Sequence, residues 1–212
     1  PPSRRGLEYY LEHMGVEADY FAGKTVINLG AGGDDLEKEL ARRGIRSSVV
    51  NVDRKYPRQF LGRGMSIPEG AVKGDMLVLP VGDSSTDVVV SSEALSRWLP
   101  KSKQLDAYIE AMRILRPGGE MFVFTHRWID SVSPKAVVRR LQELYPGAEA
   151  IFDKELSLVK VRKPEERAID GRGWEELVGG IENADLRQRV IELVELCTRN
   201  RDELTLDDSY GH

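Results

Sequence analysis

Lys24-Thr-Val-Ile-Asn-Leu-Gly-Ala-Gly-Gly-Asp-Asp-Leu-Glu-Lys-Glu-Leu40 is the stretch that decides the reading of this chain. Val26, Ile27 and Leu29 form a short apolar run of buried-strand type. The run breaks at Gly30, Gly32 and Gly33 and resumes with Leu36 and Leu40 four residues apart, the spacing of a helix whose natural cap is Asp34 or Asp35. Strand, glycine turn and helix together make a nucleotide site: glycine lets backbone approach a ligand, and a helix start offers free N–H groups. An ordinary tight turn without a ligand has the same outline, so the argument needs a second landmark.

That landmark is Val49-Val-Asn-Val-Asp53, an apolar run ending in an acid. It lies about twenty residues past the glycines, where a βαβ fold places a carboxylate for ribose hydroxyls. A dinucleotide turn would put a third glycine at position 35. Asp35 stands there instead and would repel a pyrophosphate, so a cofactor without phosphate, such as S-adenosylmethionine, suits the turn better.

With these residues the chain resembles the class I S-adenosylmethionine-dependent methyltransferases. Asn28-Leu-Gly30-Ala31-Gly32-Gly33-Asp34 is similar to the family's (Asp/Glu)-x-Gly-x-Gly-x-Gly motif, with Asn28 replacing the acid and Asp34 the third glycine. Gly74-Asp75-Met76 resembles the adenine site, where a carboxylate accepts from the adenine amino group and the next residue packs the ring. Leu79-Pro-Val-Gly-Asp-Ser-Ser-Thr-Asp-Val-Val-Val-Ser91-Ser-Glu93 is similar to a stretch of the small-molecule enzymes typified by ubiquinone and menaquinone biosynthesis. The resemblance implies a cofactor site of Asn28, Gly30, Ala31, Gly32, Asp53, Asp75, Met76 and Ser91. It covers about residues 20–162. It implies a doubly wound, mostly parallel α/β sheet of Rossmann-like form, ending in an antiparallel hairpin.

The rest of the chain is read around this core. Residues 4–22 predict one or two amphipathic helices, with Leu7, Tyr10, Leu11 and Met14 on one face. Such a segment precedes the sheet in the family, and Arg4, Arg5, Tyr9 and Tyr10 are candidates to meet the methionine carboxylate. Residues 54–70, with two prolines and three glycines including Gly70, predict a mostly irregular segment. Residues 71–80 predict a third strand and its exit loop, and Val88-Val-Val90 a fourth strand. The stripe Leu105, Tyr108, Ile109, Met112 and Leu115 predicts a helix that Arg116-Pro-Gly-Gly119 ends. A fifth strand over 120–126, a helix over 134–145 and closing strands over 148–152 and 156–161 follow.

From Lys163 the pattern changes. Residues 1–162 read as the methyltransferase domain, and 163–212 as a helical extension packed on it, with an amphipathic helix from Asp185 to Arg199. That helix is also a possible homodimer surface.

Catalytic residues are not fixed by motif. His126, Glu93 and Tyr108 are the candidates for a base near the binding edge. No Asn-Pro-Pro-Tyr or Asp-Pro-Pro-Tyr motif and no paired cysteines occur, which favours a small-molecule acceptor over nucleic acid. Of 212 residues, 41% are hydrophobic and 31% charged, the balance of a soluble globular protein, and the net charge of −4 offers no general attraction to nucleic acid or anionic membranes. Three histidines and one cysteine, Cys197, suggest no metal centre or disulfide framework and make a reducing, cytoplasmic setting the expectation. No membrane partner is expected. Two other classes stay open: a degenerate methyltransferase fold serving as a scaffold subunit, and a nicotinamide dehydrogenase.

Overall fold

In the computed structural model, the described residues are 6–33, 36–55, 71–125 and 132–165, with Gln188 beyond them. The chain divides into two compact units, Pro1–Glu165 and Glu166–His212. Apart from Gln188, the expected helices of the tail lie outside the described residues, as do Cys197 and the part of the expected irregular segment after Lys55.

Alternating strands and amphipathic helices build a seven-stranded sheet. Among the described residues the helices are α1 (Leu7–Met14), α2 (Leu36–Arg42), α3 (Ala94–Trp98), α4 (Lys101–Ile114) and α5 (Pro134–Leu144). A short 3-10 turn spans Ala18–Phe21. The strands are β1 (Thr25–Leu29), β2 (Ser48–Val52), β3 (Ala71–Val72), β4 (Thr86–Ser92), β5 (Leu115–Phe124), β6 (Glu149–Asp153) and β7 (Leu158–Arg162). Their order is β3-β2-β1-β4-β5-β7-β6. The first five run parallel, and β7 is antiparallel to both β5 and β6. This is the Rossmann-like methyltransferase arrangement that the sequence predicts, including the closing hairpin.

Period-two alternation sends the strand residues to two opposite cores. Ile27, Leu29 and Val89 face a cluster with Tyr108 and Met112 of α4 and with Val137 and Leu141 of α5. Val26, Val88 and Val90 face the other, with Leu7, Tyr10, Leu11 and Met14 of α1 and Leu36 and Leu40 of α2. All four α1 stripe residues are buried. Each fully buried aliphatic side chain contributes about 1.5–3 kcal/mol, which is why short helices such as α2 hold their place. Gly15, in the left-handed conformation at φ 65°, ends α1 as a C-cap.

Two local expectations are corrected. The third strand is only two residues long, because Asp75 folds its own loop: its carboxylate accepts from the Leu77 N–H at 3.0 Å and its carbonyl from the Val78 N–H. The Arg116-Pro-Gly-Gly119 turn does not separate α4 from a later strand. Leu115 already pairs with Thr86, and a register shift between Thr86 and Val88 absorbs the turn inside β5. At the sheet's far end the hairpin turn is closed by Asp153, whose carboxylate accepts from the backbone N–H groups of Glu155 and Leu156 at 2.9 and 3.0 Å.

A candidate cofactor and acceptor site at the strand ends

Ligands of open α/β sheets bind outside the carboxyl ends of the parallel strands, where the order reverses. Here that point lies between β1 and β4. Gly30 leaves β1 at φ 66° and donates its N–H to the Val52 carbonyl at 2.7 Å. A Cβ at Gly30 would stand 2.1 Å from the Ala94 Cβ, so the turn has no room for any side chain. Gly32, at φ 60°, donates its N–H to Asp53 Oδ2 at 3.3 Å. Asp53 Oδ1 accepts from the Lys55 N–H at 2.8 Å. The Asp53 carboxylate is thereby held in place with lone pairs to spare.

A small cavity of about 30 Å³ opens beside this turn, lined by Gly30, Asp53, Asp75 and Met76 together with Arg54, Lys55, Trp98 and Leu99. Four residues singled out in the sequence thus meet in one place, from the ends of β1 and β2 and the loop after β3. The other four lining residues carry no motif. Lys55 and Trp98 lie far apart in sequence, yet the Lys55 ammonium sits 3.9 Å from the centre of the Trp98 ring. A basic residue after the β2 acid and a tryptophan at the end of α3 are the only signals for them.

The remaining predicted cofactor residues serve the frame around this cavity. Ala31 is buried, and Ser91 is fully buried with its hydroxyl donating to the Leu29 carbonyl at 3.1 Å, which ties β4 to β1. Asn28 is buried and donates through Nδ2 to Asn51 Oδ1 at 3.1 Å, while its own Oδ1 has no hydrogen-bond partner. The two asparagines are direct cross-strand neighbours.

A second, open cavity of about 350 Å³ lies at the ends of β4 and β5. Tyr9 and His13 of α1 line it, with Glu93 after β4, Phe124 and Thr125 at the end of β5, and Glu155, Leu156 and Ser157 from the β6–β7 turn. Glu93 holds a left-handed conformation at φ 61° and stands at the N-cap of α3 without a side-chain cap bond. Its N–H donates to the Phe124 carbonyl at 3.0 Å. A bulky residue at positive φ costs energy and concentrates at functional positions. The two cavities flank one junction: Glu93 lines the second, and its neighbour Ala94 packs against the Gly30 that lines the first.

Of the base candidates, Glu93 alone lines a cavity described here. Tyr108 belongs to the core cluster beside α4, and its burial pushes the phenol well above the ordinary tyrosine range. Its place on the apolar stripe was the sequence signal for this. His126 lies outside the described residues, as do Arg4, Arg5, Asp34 and Asp35. His13, which the sequence reading passed over, is the histidine among the described residues that line the second cavity. No group of described residues could hold a metal ion. No helix among them is long and apolar enough to cross a membrane.

Comparison with known proteins agrees with this geometry. Residues 27–123 match the family model described as a methyltransferase domain. A TehB-like SAM-dependent methyltransferase of Corynebacterium glutamicum shares 17% identity over 76% of this chain and 88% of its own, with a TM-score of 0.54. A SAM-dependent methyltransferase of Aquifex aeolicus shares 16% over 76% and 92%, with a TM-score of 0.51. The cyclase SpnF shares 15% over 75% and 80%, with a TM-score of 0.52. At such identities the likeness carries the fold alone, and the cyclase illustrates that one fold hosts more than one chemistry. No curated protein matches the chain. The match of the methyltransferase domain model runs through the strands from β1 to β5, so the part of the chain that builds the parallel sheet is similar to a methyltransferase domain.

Proposed function

We propose that the enzyme methylates a small-molecule acceptor, with the adenosyl half of the cofactor in the cavity of Gly30, Asp53, Asp75 and Met76. The observation that carries this reading is the convergence of those four residues on one cavity. The residues suit the group. Asp53 and Asp75 are acceptors, matched to the hydroxyl and amino donors of an adenosine, and Met76 offers a polarizable apolar wall for a ring. Two carboxylates beside the glycine turn disfavour a pyrophosphate there. The bound cofactor would supply an electrophilic methyl on a sulfonium.

The chain's own part is positioning. Gly30 and Gly32 let backbone approach the ligand, Asp53 fixes the ribose, and Asn28, Ala31 and Ser91 keep the ends of β1, β2 and β4 in register. Holding the reactants in line supplies much of the acceleration in such a transfer. The larger cavity beside Glu93 is the acceptor's place in this reading. Its concave form favours a small molecule over a scaffold role. The ubiquinone-type resemblance, the cytoplasmic setting and a tail from residue 163 that packs on the domain or pairs two copies belong to the same reading.

Isothermal titration with S-adenosylmethionine, S-adenosylhomocysteine and NAD tests it. Both sulfur ligands should bind and NAD should not. Asp53→Ala should weaken S-adenosylhomocysteine by about 1.5–3 kcal/mol, the worth of a hydrogen bond to a charged group. Unchanged affinity in that variant would remove the ribose from Asp53, and binding of NAD alone would favour a dehydrogenase.

A further inference from the structure

The larger cavity carries chemistry that the cofactor motifs do not explain. His13 Nδ1 lies 2.8 Å from the Tyr9 carbonyl oxygen. A carbonyl can only accept, so Nδ1 carries the hydrogen and Nε2 is the nitrogen left to take a proton. The His13 ring is stacked on Tyr9, with centroids 4.1 Å apart and planes 29° apart, and Phe124 meets its edge at 5.7 Å. The stacked Tyr9–His13 pair and the nearly perpendicular Phe124 ring give the cavity an aromatic corner. Glu93 and Glu155 add two carboxylates to the lining, and no lysine or arginine is among its described residues. Thr125 adds no free donor, because its hydroxyl is spent on the Ser157 carbonyl at 2.9 Å. The described lining, with aromatic rings, two carboxylates and a histidine, suits an organic cation with an apolar ring better than an anion.

We infer that this cavity takes a small organic amine carrying a flat apolar group, bound as its ammonium by Glu93, and that His13 removes the proton that blocks the nitrogen lone pair. The inference rests on the methyltransferase reading above. The proton passes from the ammonium to His13 Nε2, leaving a neutral amine and an imidazolium. The amine nitrogen then forms a bond to the methyl carbon as the carbon–sulfur bond breaks. The sulfur keeps that electron pair as a thioether, and the positive charge moves to the methylated nitrogen. Glu93 and Glu155 face a cation before and after the step. The left-handed backbone at Glu93 fits this role, since a glycine would relieve the strain but supply no carboxylate.

The test uses the full chain saturated with S-adenosylhomocysteine and titrated with benzylamine and with benzoate. Benzylamine should bind and benzoate should not. Glu93→Gln, and Glu93→Asn as the variant more tolerant of the left-handed conformation, should each weaken benzylamine at least tenfold with S-adenosylhomocysteine affinity kept. With S-adenosylmethionine, mass spectrometry should detect N-methylbenzylamine. His13→Gln should keep benzylamine affinity and lower kcat about a hundredfold or more, the usual worth of a positioned base. Raising the pH should restore much of that loss, because more of the amine is then neutral in solution; a merely structural role for His13 would give no such rescue. Benzoate binding as tightly as benzylamine, no binding of benzylamine, unchanged affinity in both Glu93 variants, or full turnover in His13→Gln would each overturn the inference. Failure of S-adenosylhomocysteine itself to bind would instead break the methyltransferase reading, so the two failures are distinguishable.

Discussion

The turns after β1 and β4 leave the sheet at the same edge with nearly the same φ, 66° at Gly30 and 61° at Glu93. They are built from opposite residues. At the first, the neighbour Ala94 fills the space where a side chain would begin, so sterics alone demand glycine. At the second, a long acidic side chain occupies a conformation that glycine would adopt without cost. The first turn is shaped by what must be absent, the second by what must be present. Position 30 therefore constrains the fold and position 93 constrains what the fold is for.

Gly30→Ala attacks the first turn and should have the largest effect. Overpacking of about 1–3 kcal/mol adds to about 1–2 kcal/mol for a left-handed L-residue. Chemical denaturation should register the sum, and S-adenosylhomocysteine binding should be lost with it. A stable, binding-competent alanine variant would show that the Gly30–Ala94 contact relaxes freely and that the contrast between the turns is false.

Asn28→Asp probes the strand that leads into that turn. The family's acid would be restored, but the Asn28 amide that now donates to Asn51 would be replaced by a second acceptor. Loss of a buried hydrogen bond costs about 1–3 kcal/mol, so thermal unfolding should move down by several degrees. Tighter S-adenosylmethionine binding in this variant at undiminished stability would show that the asparagine pair is not what holds position 28.

Glu93→Gly tests the second turn and should reverse the sign. Relief of the left-handed strain should raise stability, by up to about 1 kcal/mol, while methyl transfer falls. A destabilised glycine variant would mean that the Glu93 side chain props the fold, as Ala94 does against Gly30.

The smallest effect concerns the loop that delivers β4. Glu110 on α4 accepts from the Leu79 N–H at 2.7 Å and pairs with Arg113, which also reaches Asp83. Hydrogen bonding to Arg113 holds the Glu110 carboxyl below its ordinary range. A depressed folded-state value stabilises the protein above the unfolded value, about 4.3, and that share is lost as pH falls through the folded value. Acid unfolding of Glu110→Gln should therefore show a shallower pH dependence below about pH 4.3. An identical acid limb would assign that dependence elsewhere and leave both turns untouched.

The same contrast explains what the sequence made legible. The glycine turn, the β2 acid and the hairpin follow from local spacing, because periodicity and turn chemistry act over a few residues. Gly30, Asp53, Asp75 and Met76 could be found one by one and meet in one cavity. The continuation of β5 through Arg116-Pro-Gly-Gly119 could not, since it depends on pairing with Thr86 some thirty residues away. Nor could the left-handed state of Glu93, which a glutamate does not advertise. His13 reads as one polar position of an amphipathic helix, and only the packing of α1 on the sheet brings it to Phe124. Tyr108 reads both as stripe and as candidate base, and the core takes it.

The strand order has a consequence for how the molecule is made. β7 emerges after β6 during synthesis yet lies between β5 and β6 in the finished sheet. β6 has no place to dock until β7 exists, so the hairpin must form first and then add as a unit. Until residue 162 is available, the flank of β5 offers unpaired N–H and C=O groups, with apolar Met121 and Val123 beside them. Exposed strand flanks of that composition invite pairing with other chains. A nascent chain halted near Asp153 carries every strand of the cofactor cavity and still lacks the strand that shields β5. Aggregation during translation, more than loss of ligand binding, is what such a truncation should produce.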